Sequence, residues 1–244
     1  MRILIHGSTG RMGRALTALT EKGVHGASLA GSVAPHAQGE GSWTSLAACT
    51  AQADCIVDFS NHAAAPSLMA YAVEKGLPVV VATTGHTEEE LAAIREASRQ
   101  VPVFLSGNMS LGIALLVDLA RRTARMFPDA DIEIVESHHN QKLDVPSGTA
   151  LMLARAVQEA RPEAELLVGR HENGKRTKQE IGIHSLRMGN TVGIHEVIVN
   201  TGTQIITLKH EAQDRSLFAE GALAAAAFLT GKAPGLYNMK DMIE

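Results

Sequence analysis

The chain has 244 residues, 45% of them hydrophobic and 20% charged, with a formal net charge of −4. This is the composition of an ordinary soluble globular protein, long enough for one large domain or two modest ones. It excludes disordered and collagen-like classes and gives no general attraction to nucleic acid or an anionic membrane surface.

Two cysteines, Cys49 and Cys55, are too few for a disulfide framework, and no Cys/His spacing suits zinc, so no metal is expected. The opening MRILIHG enters a strand pattern at once, without a charged leader and a long apolar segment. The expectation is a cytoplasmic protein with no membrane span.

Apolar runs of strand length recur at 2–6, 27–32, 54–59, 78–82 and 102–105. Between them, 11–22, 62–75 and 87–99 repeat apolar residues at three- and four-residue spacing, and Gly23 and Gly76 follow as C-terminal caps. Alternating strands and helices predict a parallel sheet covered on both faces, because each parallel strand needs a crossover to return.

The first strand-to-helix turn reads Gly7-Ser8-Thr9-Gly10-Arg11-Met12-Gly13. Glycines there let the backbone approach a pyrophosphate, and the N–H groups opening the helix supply donors and partial positive charge. The spacing is Gly-x-x-Gly-x-x-Gly, with Thr9 where the commoner fingerprint has its second glycine.

A dinucleotide fold usually carries an acid at the end of its second strand for the ribose hydroxyls. Here that stretch ends Gly31-Ser32-Val33, with Ser32 at the acid's place and no repulsion against a 2′-phosphate. Arg11 and Arg14 have two readings, phosphate contacts or solvated surface cations. Two further loops, Thr83-Thr84-Gly85-His86 and Ser106-Gly107-Asn108-Met109-Ser110, fall at strand carboxyl ends. Thr84 and Asn108 could meet a cofactor ring and carboxamide or cap the helices that follow.

The character changes after a helical pattern at 111–126. Strands are expected at 131–136, 181–187, 194–200 and 204–210, in a mixed or largely antiparallel sheet, with a helix at 147–160 on one face. Ile194, Val197, Val199, Ile205 and Ile206 leave both faces apolar, and the uncovered face is a candidate oligomer interface. The polar stretch 169–179, with Lys175, Arg176 and Lys178, reads as a mobile loop with solvated charges or a phosphate contact. An Ala-rich helix at 216–230 is expected to return to the first domain. The division is then 1–108, completed by 216–244, for the dinucleotide and 109–215 for substrate and oligomerisation. The fold class is α/β: a Rossmann-like doubly wound parallel sheet plus an α+β domain with a mixed sheet.

Residues 136–150 read ESHHNQKLDVPSGTA. Ser147, Gly148 and Thr149 open a helix, and the stretch has two readings: a routine helix start after a surface or structural histidine pair, or an anion site to which His139 and Lys142 add charge and hydrogen bonds. This segment closely resembles the signature of 4-hydroxy-tetrahydrodipicolinate reductases, long called dihydrodipicolinate reductases. The resemblance extends to Gly-x-x-Gly-Arg-Met-Gly, the Thr-Thr-Gly and Asn-Met-Ser loops, residues 187–193 (RMGNTVG) with His195-Glu196, and Gly235-Leu236-Tyr237-Asn238-Met239.

The resemblance implies NAD(P)H-dependent reduction of a cyclic unsaturated dicarboxylate in the diaminopimelate and lysine pathway. It implies His138 as general acid, Lys142 as an assisting donor and a homotetramer built through the second domain. With Ser32 in place of an acid, dual use of NADPH and NADH with a lean to NADPH is expected. Asp144 has two readings, orienting the lysine or capping locally. Two other readings are another amino-acid-pathway dehydrogenase, which leaves the His-His to Pro-Ser-Gly-Thr stretch unexplained, and a dinucleotide sensor, which leaves His138 and Lys142 without a task.

Overall fold

The computed structural model describes residues 1–243. The chain divides into two compact units, residues 1–110 with the stretch from 216 onward, and residues 111–215.

In the first unit β1 (Arg2–His6) leads into α1 (Arg11–Glu21), followed by β2 (Ser28–Val33), β3 (Ser42–Trp43) and β4 (Cys55–Asp58). Then come α2 (Ala65–Lys75), β5 (Val79–Val81), α3 (Glu88–Ala97) and β6 (Pro102–Leu105). The second unit contains α4 (Leu111–Met126), β7 (Asp131–His138), α5 (Gly148–Ala160), β8 (Glu165–Val168), β9 (Glu180–Arg187), β10 (Gly193–Asn200) and β11 (Ile205–Ala212). The chain returns to the first unit with α6 (Ser216–Leu229), β12 (Gly235–Tyr237) and α7 (Met239–Ile243).

The first sheet runs β12-β6-β5-β4-β1-β2-β3, with every pair parallel. Its strands are short apolar runs buried on both faces, as a sheet covered on both sides requires. Leu4, Ile56, Val79, Val81 and Val103 pack against Leu68, Met69 and Ala72 of α2 and Ile94 of α3. The strand order reverses direction between β1 and β4, and ligands of open α/β sheets bind outside the strand carboxyl ends at such a switch. Two edge strands, β3 and β12, go beyond the expected set; at two and three residues they are too short for periodicity to register.

The second sheet runs β11-β10-β7-β9-β8 and is mixed: β7 and β8 both run parallel to β9, while β10 is antiparallel to β7 and β11. Ile132, Ile134, Ile181, Ile183, Val197 and Val199 are fully buried with Leu116 of α4 and Leu153 and Val157 of α5. Each such aliphatic side chain contributes roughly 1.5–3 kcal/mol by leaving water. Strand alternation sends Glu133, Ile194 and Ile198 to the opposite face. Strand β8 lies outside the expected set.

The 169–179 segment differs from its expectation at Arg176. Its guanidinium pairs with Asp131 and Glu133 and donates to the carbonyls of Ile132 and Glu180, so it ties this segment to the start of β7 and is neither solvated nor set aside for a ligand.

Candidate functional site

The carboxyl end of β1 enters a turn whose glycines are demanded by space. Gly7 has φ +86°, and a Cβ there would lie 2.5 Å from the Phe59 carbonyl oxygen. A Cβ on Gly13 would sit 2.3 Å from the Gly7 carbonyl oxygen. The Gly7 N–H donates to the Val33 carbonyl at 2.8 Å, closing the turn over the end of β2.

Gly10 is the N-cap of α1, with no side-chain cap and no acid in the first turn. Thr9, Gly10 and Arg11 are exposed, while Ser8, Met12 and Ser32 are half-buried. Helix-start donors are thus presented beside a closely approachable backbone, a cradle that fits a pyrophosphate.

The loops after β5 and β6 separate side chains that the sequence groups together. Thr83 is turned inward: its hydroxyl donates to Asp58 Oδ2 at 2.7 Å, and Asp58 also accepts from Ser60 Oγ at 2.6 Å and pairs with His6 Nδ1 at 2.8 Å. The Thr83 side chain is therefore a strut between strand ends. Thr84 and Gly85 are exposed, and Thr84 caps nothing, because α3 is opened by Thr87 in a reciprocal capping box with Glu90.

Asn108 Oδ1 accepts from the Ser110 N–H at 2.9 Å, so Asn108 does brace the approach to α4. Ser106 Oγ donates to the Asn108 carbonyl at 2.8 Å. Met109 is 2% exposed, and its side chain belongs to the core.

In the second unit, β7 places Glu136 and His138 two residues apart and hence on one face. His138 Nδ1 lies 2.5 Å from Glu136 Oε2. Arg187, paired with His138 across the parallel β7/β9 register, donates Nη1 to Oε2 at 2.9 Å and Nη2 to Oε1 at 2.8 Å of the same carboxylate. The Ser147 N–H completes the set at 3.1 Å from Oε1. Burial alone would raise the Glu136 carboxyl, but Arg187 and the other donors hold it at about 2, so it is anionic at any working pH.

On the other side of β7, the antiparallel register sets His195 opposite Glu136. Its ring stands edge-on to that of His138, centroids 5.1 Å apart, and its Nε2 lies 3.2 Å from Ser147 Oγ. Burial, then the neighbouring His138, pushes His195 down to about 4. Burial also lowers His138, against the opposing pull of Glu136.

Ser147 caps α5 by accepting from the Ala150 N–H at 3.2 Å. With its N–H on Glu136 and its hydroxyl against His195, the buried Ser147 is a second strut. Gly148 is exposed and Thr149 half-buried at the start of α5; a Cβ on Gly148 would meet nothing within 4 Å. Lys142 Nζ pairs with Asp144 Oδ1 at 2.8 Å, which draws the Asp144 carboxyl down. This gives Asp144 a role, that of steadying the lysine. His139, half-buried, faces Arg215 at 3.2 Å.

The second unit therefore brings His138, Lys142, Gly148 and Thr149 to the β7–α5 crossover. Glu136, Arg187 and His195 join them there, and sequence reasoning gave none of these three a role. The signals were the Glu-x-His spacing on a strand for Glu136 and the family-like stretch 187–196 for Arg187 and His195. Among the described residues, no group of three or more His, Cys, Asp or Glu could hold a metal ion, and no helix is long and apolar enough to cross a membrane.

The sequence profile "Dihydrodipicolinate reductase, N-terminus" matches residues 1–109, and "Dihydrodipicolinate reductase, C-terminus" matches residues 112–243. The 4-hydroxy-tetrahydrodipicolinate reductase of Caldanaerobacter subterraneus subsp. tengcongensis is 43% identical over all of this chain and 98% of its own length. The Clostridium tetani protein of the same name is 41% identical over all of this chain and 97% of its own. Among solved structures, a dipicolinate-bound dihydrodipicolinate reductase from Paenisporosarcina sp. TG-14 superposes with a TM-score of 0.83 at 24% identity, covering 99% of both chains. A probable dehydrogenase from Thermotoga maritima superposes at 0.61 with 10% identity, over 99% of this chain and 92% of its own.

Proposed function

Because this chain belongs to the dihydrodipicolinate reductase family, we propose that it reduces 4-hydroxy-tetrahydrodipicolinate to tetrahydrodipicolinate with a nicotinamide cofactor, in the route to diaminopimelate and lysine. The balance is one hydride and one proton taken up and one water released. The observation that carries the reading is the β7–α5 crossover, where a carboxylate-backed imidazole, a lysine and a helix start with an exposed Gly148 converge.

The cofactor supplies the hydride. Gly7, Ser8, Thr9, Gly10, Arg11, Met12 and Gly13 hold its pyrophosphate, and Thr84, Gly85, Ser106 and Asn108 border the nicotinamide. In the second unit, Lys142, His139, Gly148 and Thr149 hold the two carboxylates, since a helix start and a cation both favour negative charge. His138 delivers the proton from Nε2, as its Nδ1 faces Glu136. Burial lowers the His138 imidazole, which eases loss of the proton, while Glu136 opposes that pull.

The half-buried Ser32 at the end of β2 brings no charge against a 2′-phosphate, which supports use of both cofactors with NADPH favoured. The open face of the second sheet supports a homotetramer, and neither a membrane nor nucleic acid is a partner.

The test is cofactor oxidation at about 340 nm, where reduced nicotinamides absorb, in a coupled assay. Pyruvate, aspartate semialdehyde and the upstream synthase generate the substrate in place. NADPH and NADH are expected to be consumed only in the complete mixture, with kcat/KM higher for NADPH. Lys142→Ala is expected to lose about 100-fold or more. No oxidation of either cofactor by the folded wild type refutes the activity, and a clear NADH preference refutes the cofactor assignment alone.

A further inference from the structure

We propose that Glu136 is a positioning residue for His138, fixing its tautomer and orientation so that Nε2 is the nitrogen presented for proton transfer, and that Arg187 restrains Glu136 by claiming both of its oxygens. The catalytic consequence rests on the reductase reading above; the side-chain arrangement does not.

Glu136 is fully buried, and an isolated carboxylate there would protonate rather than bear the loss of solvent. Its four donors prevent that. Oε1 accepts from Arg187 Nη2 and the Ser147 N–H, and Oε2 accepts from Arg187 Nη1 and His138 Nδ1. An anionic carboxylate only accepts, so the 2.5 Å contact requires the hydrogen on His138 Nδ1. Nε2 then carries the lone pair in the neutral ring and the transferable proton in the charged one.

A second observation concerns the space at Nε2. Gly193, the first residue of β10, has no side chain, and a Cβ built on it would lie 3.1 Å from His138 Nε2. Any larger residue crowds the atom that has to reach a ligand.

The charges around His138 oppose one another. Glu136 on β7 favours the imidazolium, whereas Arg187 on β9, Lys142 in the following loop and the buried ring of His195 on β10 disfavour it. Beyond them, half-buried His210 on β11 faces His195, Asp144 pairs with Lys142, and Arg215 faces His139. The α5 helix contributes its positive end, with no acid in its first turn. Removing Glu136 and removing Arg187 should therefore move the His138 titration in opposite directions, whereas loss of structure alone would give no opposite pair.

The experiment is a nitrogen-15 NMR titration of the histidine rings in the full chain, with His138→Gln for assignment, alongside pH profiles of kcat. In the wild type the Nδ1–H tautomer is expected. Glu136→Gln is expected to shift the His138 titration and the alkaline limb of kcat to lower pH, with kcat about 10- to 100-fold down near neutrality and KM within about threefold. Arg187→Gln is expected to shift both to higher pH. Gly193→Ala is expected to lower kcat at an unchanged His138 titration.

An Nε2–H tautomer in the wild type overturns the proposal, and this readout needs no variant to fold. Shifts of Glu136→Gln and Arg187→Gln in the same direction, or no shift, also overturn it. A wild type that shows the Nδ1–H tautomer and the opposite shifts but oxidises no cofactor refutes the reductase reading and supports the pairing. An active wild type without the opposite shifts does the reverse.

Discussion

His195 is 4% exposed, and its imidazole sits at about 4 instead of 6.5. Between those values the unfolded chain binds a proton that the folded chain refuses, so stability falls as pH falls. The contribution is fully present above pH 6.5 and has been lost at pH 4; its size is on the order of 2–3 kcal/mol. Glu136, held at about 2 against an ordinary 4.5, adds a second loss in the same direction, present above 4.5 and gone near 2. Urea midpoints for the second unit are expected to drop between pH 7 and 4 and again toward pH 2.5. His195→Gln should flatten the first drop, and equal midpoints for wild type at pH 7 and 4.5 would rule the account out. None of this could be read from the sequence. A histidine after an isoleucine on a strand says nothing of burial; its register opposite Glu136 does.

At the scale of elements, the β1–α1 turn separates glycines that the motif treats alike. The Cβ positions of Gly7 and Gly13 fall at 2.5 and 2.3 Å from backbone oxygens, whereas that of Gly10 lies 3.3 Å from the nearest, and Gly10 has negative φ. Gly7→Ala and Gly13→Ala are expected to weaken NADPH binding at least tenfold by calorimetry and to lower the melting temperature by several degrees, as strained backbone and overpacking do. Gly10→Ala should keep most of both, and three equal effects would contradict the steric argument. The spacing alone places a nucleotide turn here, because Gly-x-x-Gly-x-x-Gly between a strand and a helix is a local pattern. The clash at Gly13 is with Gly7 and Ser8 of the turn itself, whereas that at Gly7 is with Phe59, 52 positions further along, which only the sheet brings into contact. Helix starts divide the same way: Thr87 with Glu90 is a local signature, while the double use of Ser147 as cap and partner of His195 is not.

Across the whole molecule, the second sheet has α4 and α5 on one face and side chains such as Leu186 and Ile205, 49% and 64% exposed, on the other. Exposed large aliphatics on a sheet face are what an interface between copies removes from water. Sedimentation velocity is expected to show a tetramer, and Ile205→Lys to lower the assembly state; a monomeric wild type would refute the proposal. By itself the sequence determined the alternating parallel sheet, the change to a mixed sheet after residue 126, the nucleotide turn and the stretch 136–150 that carries the family resemblance, because periodicity, turn chemistry and contiguous motifs are properties of neighbouring residues. Tertiary structure alone decided the edge strands β3, β8 and β12, the inward turn of Thr83, Met109 and Ser147, and the Glu136–Arg187 clamp with His195 beside it. These depend on register between strands far apart in the chain, 59 positions for Glu136 and His195 and 133 for Pro102 and Gly235, and on burial, which no local pattern of residues specifies.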